Sequence, residues 1–222
     1  HHEKVVFALA SKMKGLTRPE ILAATKLKDG GAFTHILEEL EACNFIHSTS
    51  AFGKLKKETL YRLHDEFSIF YIKFMHRKKN VDWQRLATTQ TWKSWSGFAF
   101  ENCSMKHIEQ VKTTLGIAGV YTEVSSFSAK GTESEKGTQI DLLIDRNDGV
   151  INLCEAKFYD KPFVMSKAYA QELRNKLAVF QSQAKSSKAV FPTMITTFGI
   201  QHNIYSIGLI QQHVNLEDLF AF

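Results

Sequence analysis

Cysteine and proline are scarce, at 3 each in 222 residues, and what is missing around the cysteines removes two classes of protein. Cys43, Cys103 and Cys154 are far apart, odd in number and without CxxC or CxxH spacing. That pattern argues against a disulfide framework and against a zinc site, so they read as reduced, buried thiols. The histidines are scattered too, with no pair at ligand spacing beside a third donor, and read as surface or satisfied core residues. No run is apolar for the roughly 18 residues that a membrane span needs, and no charged-then-apolar leader opens the chain. A cytoplasmic globular protein without a membrane partner is expected. His1 and His2 look like the end of a purification tag and are set aside. The stretch from Gly131 to Thr138 has glycines and a threonine but lacks GK[ST] and leads into a strand, which excludes a phosphate-binding loop there. Internal repeats and low-complexity tracts are absent as well.

The length suits two domains, one of about 80 residues and one of about 140. Charge divides unevenly between them. Residues 1–80 hold 14 Lys and Arg against 9 Asp and Glu, residues 81–222 hold 14 against 14, and the sums recover the totals of 28 and 23 and the net +5. The entire excess belongs to the first part, which points to nucleic acid phosphates as its partner.

Within that part, Val5, Val6, Leu9, Ala10 and Met13 recur at helical spacing and Gly15 stops the run. Thr17, Pro19 and Glu20 form a capping box with proline in the first turn of a second short helix. A third helix is predicted from about Ala32 to Cys43, with Phe33, Ile36, Leu37 and Leu40 on its apolar face and Glu38, Glu39 and Glu41 among its polar residues. Three short helices with a tight second turn make a helix-turn-helix. Two short strands, Phe45 to Ser48 and Thr59 to Leu63, then flank the basic loop that holds Lys54, Lys56 and Lys57, and look like a wing. Residues 3–64 therefore resemble the winged-helix family, whose third helix usually enters the major groove. Here that helix carries glutamates and no arginine, so the wing lysines are the expected phosphate contacts. Use of the domain for protein packing or spacing stays open.

Residues 65–82 read as a connecting helix, rich in aromatic side chains from Phe67 to Phe74 that would pack one domain on the other, and a basic linker with Arg77, Lys78 and Lys79 as further phosphate contacts. From Trp83 a long helical stretch runs to about Thr114. Strands follow at Val120 to Phe127, Ile140 to Asp145 and Val150 to Lys157, the last two joined by the turn Asn147-Asp148-Gly149. A helix from about Met165 to Ala184 and a strand from Ala189 to Thr196 complete an α/β order with a mixed sheet over residues 83–222.

Thirteen residues separate Asp141 from Glu155, and Lys157 lies two beyond. Alternation along a strand turns Glu155 and Lys157 to the same face, and a hairpin brings Asp141 beside them. Phosphodiester cleavage asks for this set: carboxylate oxygens for a divalent metal that neutralises the phosphate and acidifies a bound water, and an amine for the water or for the pentavalent anion. Mg2+, or Mn2+ in its place, suits one or two carboxylates with retained waters, and the carbonyl of Ala156 offers a further oxygen. Asp145 and Asp148 are ordinary hairpin charges. Glu155 and Lys157 instead punctuate an apolar strand that ought to be buried.

The Asp141 and Glu155-Ala156-Lys157 pattern resembles the PD-(D/E)xK nuclease superfamily, which implies a restriction-endonuclease-like fold, Asp141 and Glu155 as metal ligands and Lys157 as the catalytic amine. The resemblance extends upstream to Gly97-Phe98-Ala99-Phe100-Glu101, which matches the family's first helix and implies Glu101 as a further catalytic residue and metal ligand. The proline usual before the aspartate is replaced by Gln139-Ile140. Gln171, Arg174 and Lys176 lie on the helix that in some relatives points a polar residue at the site.

The whole succession, including Tyr61 to Phe67 and the terminal Val214 to Phe220, is similar to the C-terminal region of a prokaryotic AAA-type ATPase family. That likeness implies a fragment, with ATP bound only by a preceding domain that this chain does not include. The expected function is metal-dependent hydrolysis of DNA, in duplex form, and the rival is an inactive module that holds DNA or a partner protein and regulates the ATPase. A transcriptional regulator would need the winged helix alone and would leave the second half unexplained.

Overall fold

The computed structural model describes residues 1–53, 59–76, 81–129 and 137–221. They form a mixed α/β protein that divides into two compact units, His1–Ser50 with Lys54–Asn102, and Ala51–Gly53 with Cys103–Phe222. Among the described residues no helix is long and apolar enough to cross a membrane.

In unit 1, helix α1 (His2–Ser11) buries Val5 and Leu9. It ends at Ser11, short of Met13, because Lys12 leaves helical geometry at φ −131° while its N–H still donates to the Leu9 carbonyl. Gly15 then turns the chain into β1 (Leu16–Thr17), which pairs with Tyr61 and Leu60 of β3 (Leu60–Leu63). A two-residue strand has no period to read, so the sequence does not announce β1. Gly15 sits at φ +97°, and a Cβ there would lie 2.8 Å from both Leu60 Cγ and the Tyr61 carbonyl oxygen. Gly15→Ala is therefore expected to destabilise unit 1 by more than about 1 kcal/mol, since it combines a positive φ with overlap. Urea unfolding would show a lowered midpoint, and an unchanged midpoint would contradict the close approach of this turn to β3.

The capping box is present at α2 (Arg18–Thr25), where the Thr17 N–H and hydroxyl donate to Glu20 Oε2 at 2.8 and 2.9 Å. Lys12 donates to the other oxygen, and with the Thr17 N–H it holds the Glu20 carboxyl down to about 2. Helix α3 (Gly31–Ala42) turns Phe33, Ile36, Leu37 and Leu40 into the core, as its periodicity predicts. Its acids are engaged near the surface: Glu38 with His35, Glu39 with His2, and Glu41 with the Ser48 N–H and hydroxyl. Strand β2 (Ile46–Thr49) completes an antiparallel sheet of order β1-β3-β2.

The aromatic segment forms α4 (Glu66–Phe70) and a π-helical turn (Tyr71–Met75). The helical stretch predicted from Trp83 is three helices, α5 (Trp83–Ala87), α6 (Gln90–Lys106) and α7 (Ile108–Thr114). The sequence starts a second domain at residue 83, whereas the two compact units divide inside α6, between Asn102 and Cys103. The cause is aromatic packing within unit 1. Phe70 stacks on Trp83 at 5.5 Å and lies 5.2 Å from Trp95, while Phe74 sits 5.8 Å from Trp92. Rings at these separations add attraction beyond the area they bury. Phe70 and Phe74 of the aromatic segment thus pack on tryptophans of their own unit, while Phe67 and Tyr71 stay exposed.

Unit 2 is built on a five-stranded sheet of order β10-β8-β6-β5-β4. Strands β4 (Thr122–Ala129), β5 (Thr138–Arg146) and β6 (Val150–Lys157) form an antiparallel meander. Helix α8 (Lys167–Gln183) then carries the chain to β8 (Ala189–Thr196), which lies parallel to β6. Strand β6 is buried from Ile151 to Glu155, as befits a central strand covered on both faces, and its one polar residue before Glu155, Asn152, donates its amide to Thr193 Oγ1 at 2.9 Å. Ile151, Leu153 and Leu143 of the sheet share one core with Ala170, Leu173 and Phe180 of α8. Ala51–Gly53, placed by the sequence in the wing, belongs to this unit: the Phe52 N–H donates to the Ser126 carbonyl at 2.7 Å and its ring meets Phe180 at 5.3 Å. The parallel pair β7 (Phe163–Val164) and β9 (Ile200–Gln201), the edge strand β10 (Gln212–Asn215) and the closing 3-10 turn Glu217–Phe220 go unpredicted.

Candidate functional site

The hairpin of β5 and β6 positions the acidic residues of unit 2. Its rungs pair Asp145 with Ile151, Leu143 with Leu153 and Leu142 with Cys154. The paired rungs end at Leu142 and Cys154, one residue short of Asp141 and Glu155, and β5 carries an irregularity against β4 between Ile140 and Leu143. Gln139 donates its amide to Asp141 Oδ1 at 3.0 Å.

Glu155 is buried at 7 % exposure, and a buried carboxylate must be paired to be stable. Both of its oxygens are engaged. Lys176 Nζ donates to Oε1 at 2.7 Å, while at Oε2 the Tyr169 hydroxyl donates at 3.2 Å and Lys157 Nζ stands 3.6 Å away. Lys157 also lies over the Tyr169 ring, 5.0 Å from its centroid. Tyr169 and Lys176 come from α8, which starts where the Ser166 hydroxyl accepts from the Tyr169 N–H. Residues 169, 173, 176 and 180 form one helical stripe at spacings of four, three and four. Burial of Leu173 and Phe180 on the sheet therefore carries Tyr169 and Lys176 onto the same face, against Glu155.

The electrostatics follow from this packing. Burial alone would lower the Lys176 ammonium, but the charge and hydrogen bond of Glu155 outweigh it, with Glu172 and Asp141 adding, so its pKa is raised. The field of Asp141 at Lys176 ties that carboxylate to the same cluster. The Tyr169 hydroxyl is pushed far up by burial and by Glu155, and serves as a fixed donor. Cys154 beside it is buried, its thiol likewise held protonated by burial and Glu155, which removes it as a nucleophile.

Glu155, Lys157 and Lys176 thus come together in unit 2, and Asp141 is near enough for its charge to act on Lys176. Glu101 does not belong to this unit: it lies on the part of α6 that packs in unit 1. Gln171 and Arg174 occupy the exposed side of α8, where Gln171 donates to Asn175 at 3.0 Å. Asp145 and Asp148 pair with Lys188 and Arg146 at the other end of the hairpin. Lys54, Lys56, Lys57, Arg77, Lys78 and Lys79 lie outside the described residues. Sequence reasoning misses Tyr169 entirely and gives Lys176 no more weight than Gln171 or Arg174. The available signal is position: Lys176 interrupts the apolar stripe of an amphipathic helix, whereas its two neighbours sit on the polar side.

Among the described residues no group of three or more His, Cys, Asp and Glu side chains gathers to hold a metal ion. Mg2+ asks for less, one or two carboxylates with several waters, and Asp141 and Glu155 are the carboxylates that could hold it. Lys176 is the group an ion would meet at Glu155 Oε1.

No family model matches the chain, and no curated protein matches it. Among solved structures, the protein of unknown function AF1548 is similar at 19 % identity and a TM-score of 0.36, over 53 % of this chain and 64 % of its own. Protein VC1899 from Vibrio cholerae is similar at 11 % identity and a TM-score of 0.36, over 98 % of this chain and 47 % of its own. The chain spans less than two thirds of the length of either protein.

Proposed function

We propose that unit 2 is a metal-dependent DNA phosphodiesterase of the PD-(D/E)xK type, and that the first 64 residues are a DNA-binding winged helix-turn-helix. The observation that supports the first part is the cluster at Glu155, with Lys157 3.6 Å from the glutamate and Asp141 near enough for its charge to act on the Lys176 that donates to Glu155. Asp141 and Glu155 would hold Mg2+ or Mn2+, which when bound neutralises charge on the scissile phosphate and acidifies a water. Lys157 places its ammonium where anionic charge grows on phosphorus or where the attacking water is oriented. Tyr169 holds Glu155 Oε2 by its hydrogen bond. The winged-helix assignment is supported by the order α1, β1, α2, α3, β2, β3 and the β1-β3-β2 sheet. As the C-terminal region of an AAA-type ATPase, the pair would act under the control of an ATP-binding domain of a longer protein.

The test is incubation of the chain with single-stranded, duplex, nicked and branched DNA in Mg2+, Mn2+ or EDTA. Metal-dependent cleavage of at least one form is expected. Failure with every form, together with no metal binding by calorimetry, would leave the second reading, an inactive module that holds DNA or a partner protein. One observation favours that reading: Glu155 is already saturated by protein donors.

The wing makes a separate prediction. If Lys54, Lys56 and Lys57 contact phosphates, converting all three to glutamate should weaken duplex binding about tenfold or more at low salt. It should also flatten the slope of log K against log[salt] by about 2 to 3, near 0.9 per lost contact. Fluorescence anisotropy over a salt series measures both, and an unchanged slope would remove the wing from the interface.

A further inference from the structure

Beside Lys157, unit 2 holds a cavity of about 290 Å³ lined by Tyr159, Phe163 and Tyr169, with Ser166 and Glu172 among its other lining residues. The three rings are contiguous: Tyr159 to Phe163 is 5.3 Å between centroids and Phe163 to Tyr169 is 5.5 Å, edge-on. Phe163 is buried, but Tyr159 keeps 44 % of its surface exposed. Its backbone is clamped all the same. The Tyr159 N–H donates to Thr197 Oγ1 at 3.0 Å, and the buried Thr197 hydroxyl donates back to the Tyr159 carbonyl. Beyond Phe163, the pairing of β7 with β9 and a hydrogen bond from the Asn203 amide to the Met165 carbonyl fix the rest of the wall. The backbone that carries this exposed ring is thus ordered before any ligand arrives, which lowers the entropy cost of binding there.

We propose that this cavity receives one unpaired nucleobase of the strand whose phosphate lies at Asp141, Glu155 and Lys157. The inference rests on the nuclease reading of that cluster. Tyr159 is the exposed ring of the three, since Phe163 is buried and the Tyr169 ring carries Lys157, and an exposed aromatic ring can stack on any base with little regard to sequence. The Glu172 carboxylate in the lining repels a phosphate, so the base rather than the backbone fits the cavity, while the ammonium of Lys157 marks the side on which the phosphate runs. A base inside a duplex is stacked on both faces and cannot enter a site for one base. The strand taken by unit 2 is therefore single at that nucleotide, or the base is turned out of the helix.

The test uses the full chain in EDTA, so that cleavage plays no part in the readout. Fluorescence anisotropy compares a labelled single-stranded 12-mer DNA with the same sequence as duplex. Tyr159→Ala should weaken single-strand binding about tenfold, whereas Tyr159→Phe, which keeps the ring, should stay within about twofold, and neither should change duplex affinity. Val164→Trp should mimic Tyr159→Ala by filling the cavity from an exposed lining position. It guards against a Tyr159 variant that merely unfolds. A 2-aminopurine strand should change its fluorescence on the parent protein and not on Val164→Trp. No detectable single-strand binding, or an equal affinity in parent, Tyr159→Ala and Val164→Trp, would overturn the proposal. Cleavage by a protein with such Tyr159-insensitive binding would overturn the cavity alone. Tyr159-dependent capture in a protein that never cleaves would support the cavity and overturn the nuclease reading.

Discussion

A Lys157→Ala variant is expected to bind Mn2+ at least as tightly as the parent while cleaving DNA at least about a hundredfold more slowly. The two effects separate because the carboxylates and the amine do different work. Asp141 and Glu155 offer hard oxygens, and in a site with few ligands removal of either should abolish both metal binding and cleavage. Lys157 offers only positive charge, 3.6 Å from Glu155 Oε2. Its loss takes a repulsive neighbour away from an arriving cation and takes a stabilising partner away from the transition state. A hundredfold loss corresponds to about 2.7 kcal/mol, within the range of a single electrostatic group in a shielded site. Calorimetry with Mn2+ beside a single-turnover cleavage assay measures both quantities. Should Lys157→Ala cleave as fast as the parent, the amine is not catalytic; should the parent bind no metal, the cluster is structural and the binding-module reading holds.

The part of this site that lies on the β5–β6 hairpin is legible from sequence because a hairpin is local. Alternation places Glu155 and Lys157 on one face, Asn147-Asp148-Gly149 sets the turn, and counting brings Asp141 to the end of the hairpin that holds Glu155, although an irregularity in β5 there breaks the alternation that would fix its face. Strands β6 and β8 and the apolar faces of α3 and α8 are equally readable, since each repeats its period long enough to register. What escapes is non-local. Tyr169 and Lys176 reach Glu155 only because α8 crosses that particular face of the sheet, and 14 and 21 residues respectively separate them from it along the chain. The two-residue strands β1, β7 and β9 carry no pattern of their own. They exist because a neighbour offers unpaired backbone groups, a demand that periodicity cannot express.

The domain boundary escapes for a different reason. Trp83, Trp92 and Trp95 look like the start of a new segment because they follow the basic run ending at Lys79. Large aromatic rings are the residues most able to pull distant chain segments into one core, and these three close onto Phe70 and Phe74 instead. The boundary therefore falls within a helix that is continuous in both sequence pattern and backbone, where composition gives no sign of it.

Lys176→Met is expected to have two opposed effects, and their opposition identifies what Lys176 does. Without metal the variant should be less stable than the parent by about 3 kcal/mol, the lower end of what breaking a buried ion pair costs. Glu155, whose side chain is 8 % exposed, keeps only the Tyr169 hydroxyl and the more distant Lys157. The pH dependence of this gap has a fixed sign. Because Glu155 raises the Lys176 pKa in the fold, its contribution is complete below the ordinary lysine value of about 10.4. It is lost as pH climbs through the higher folded value. Urea unfolding should therefore give a constant difference between parent and variant from neutral pH to about 10, and a shrinking one above it. With Mg2+ or Mn2+ the order should change. The ammonium at 2.7 Å from Oε1 stands where a cation would bind, so its removal should tighten the metal at least about tenfold, and saturating metal should return much of the lost stability. Lys176 then acts as a stand-in cation that holds the carboxylate in place until the ion arrives. A variant that loses stability yet gains no metal affinity would make the Lys176–Glu155 pair a plain structural bridge, and would count against Glu155 as a metal ligand.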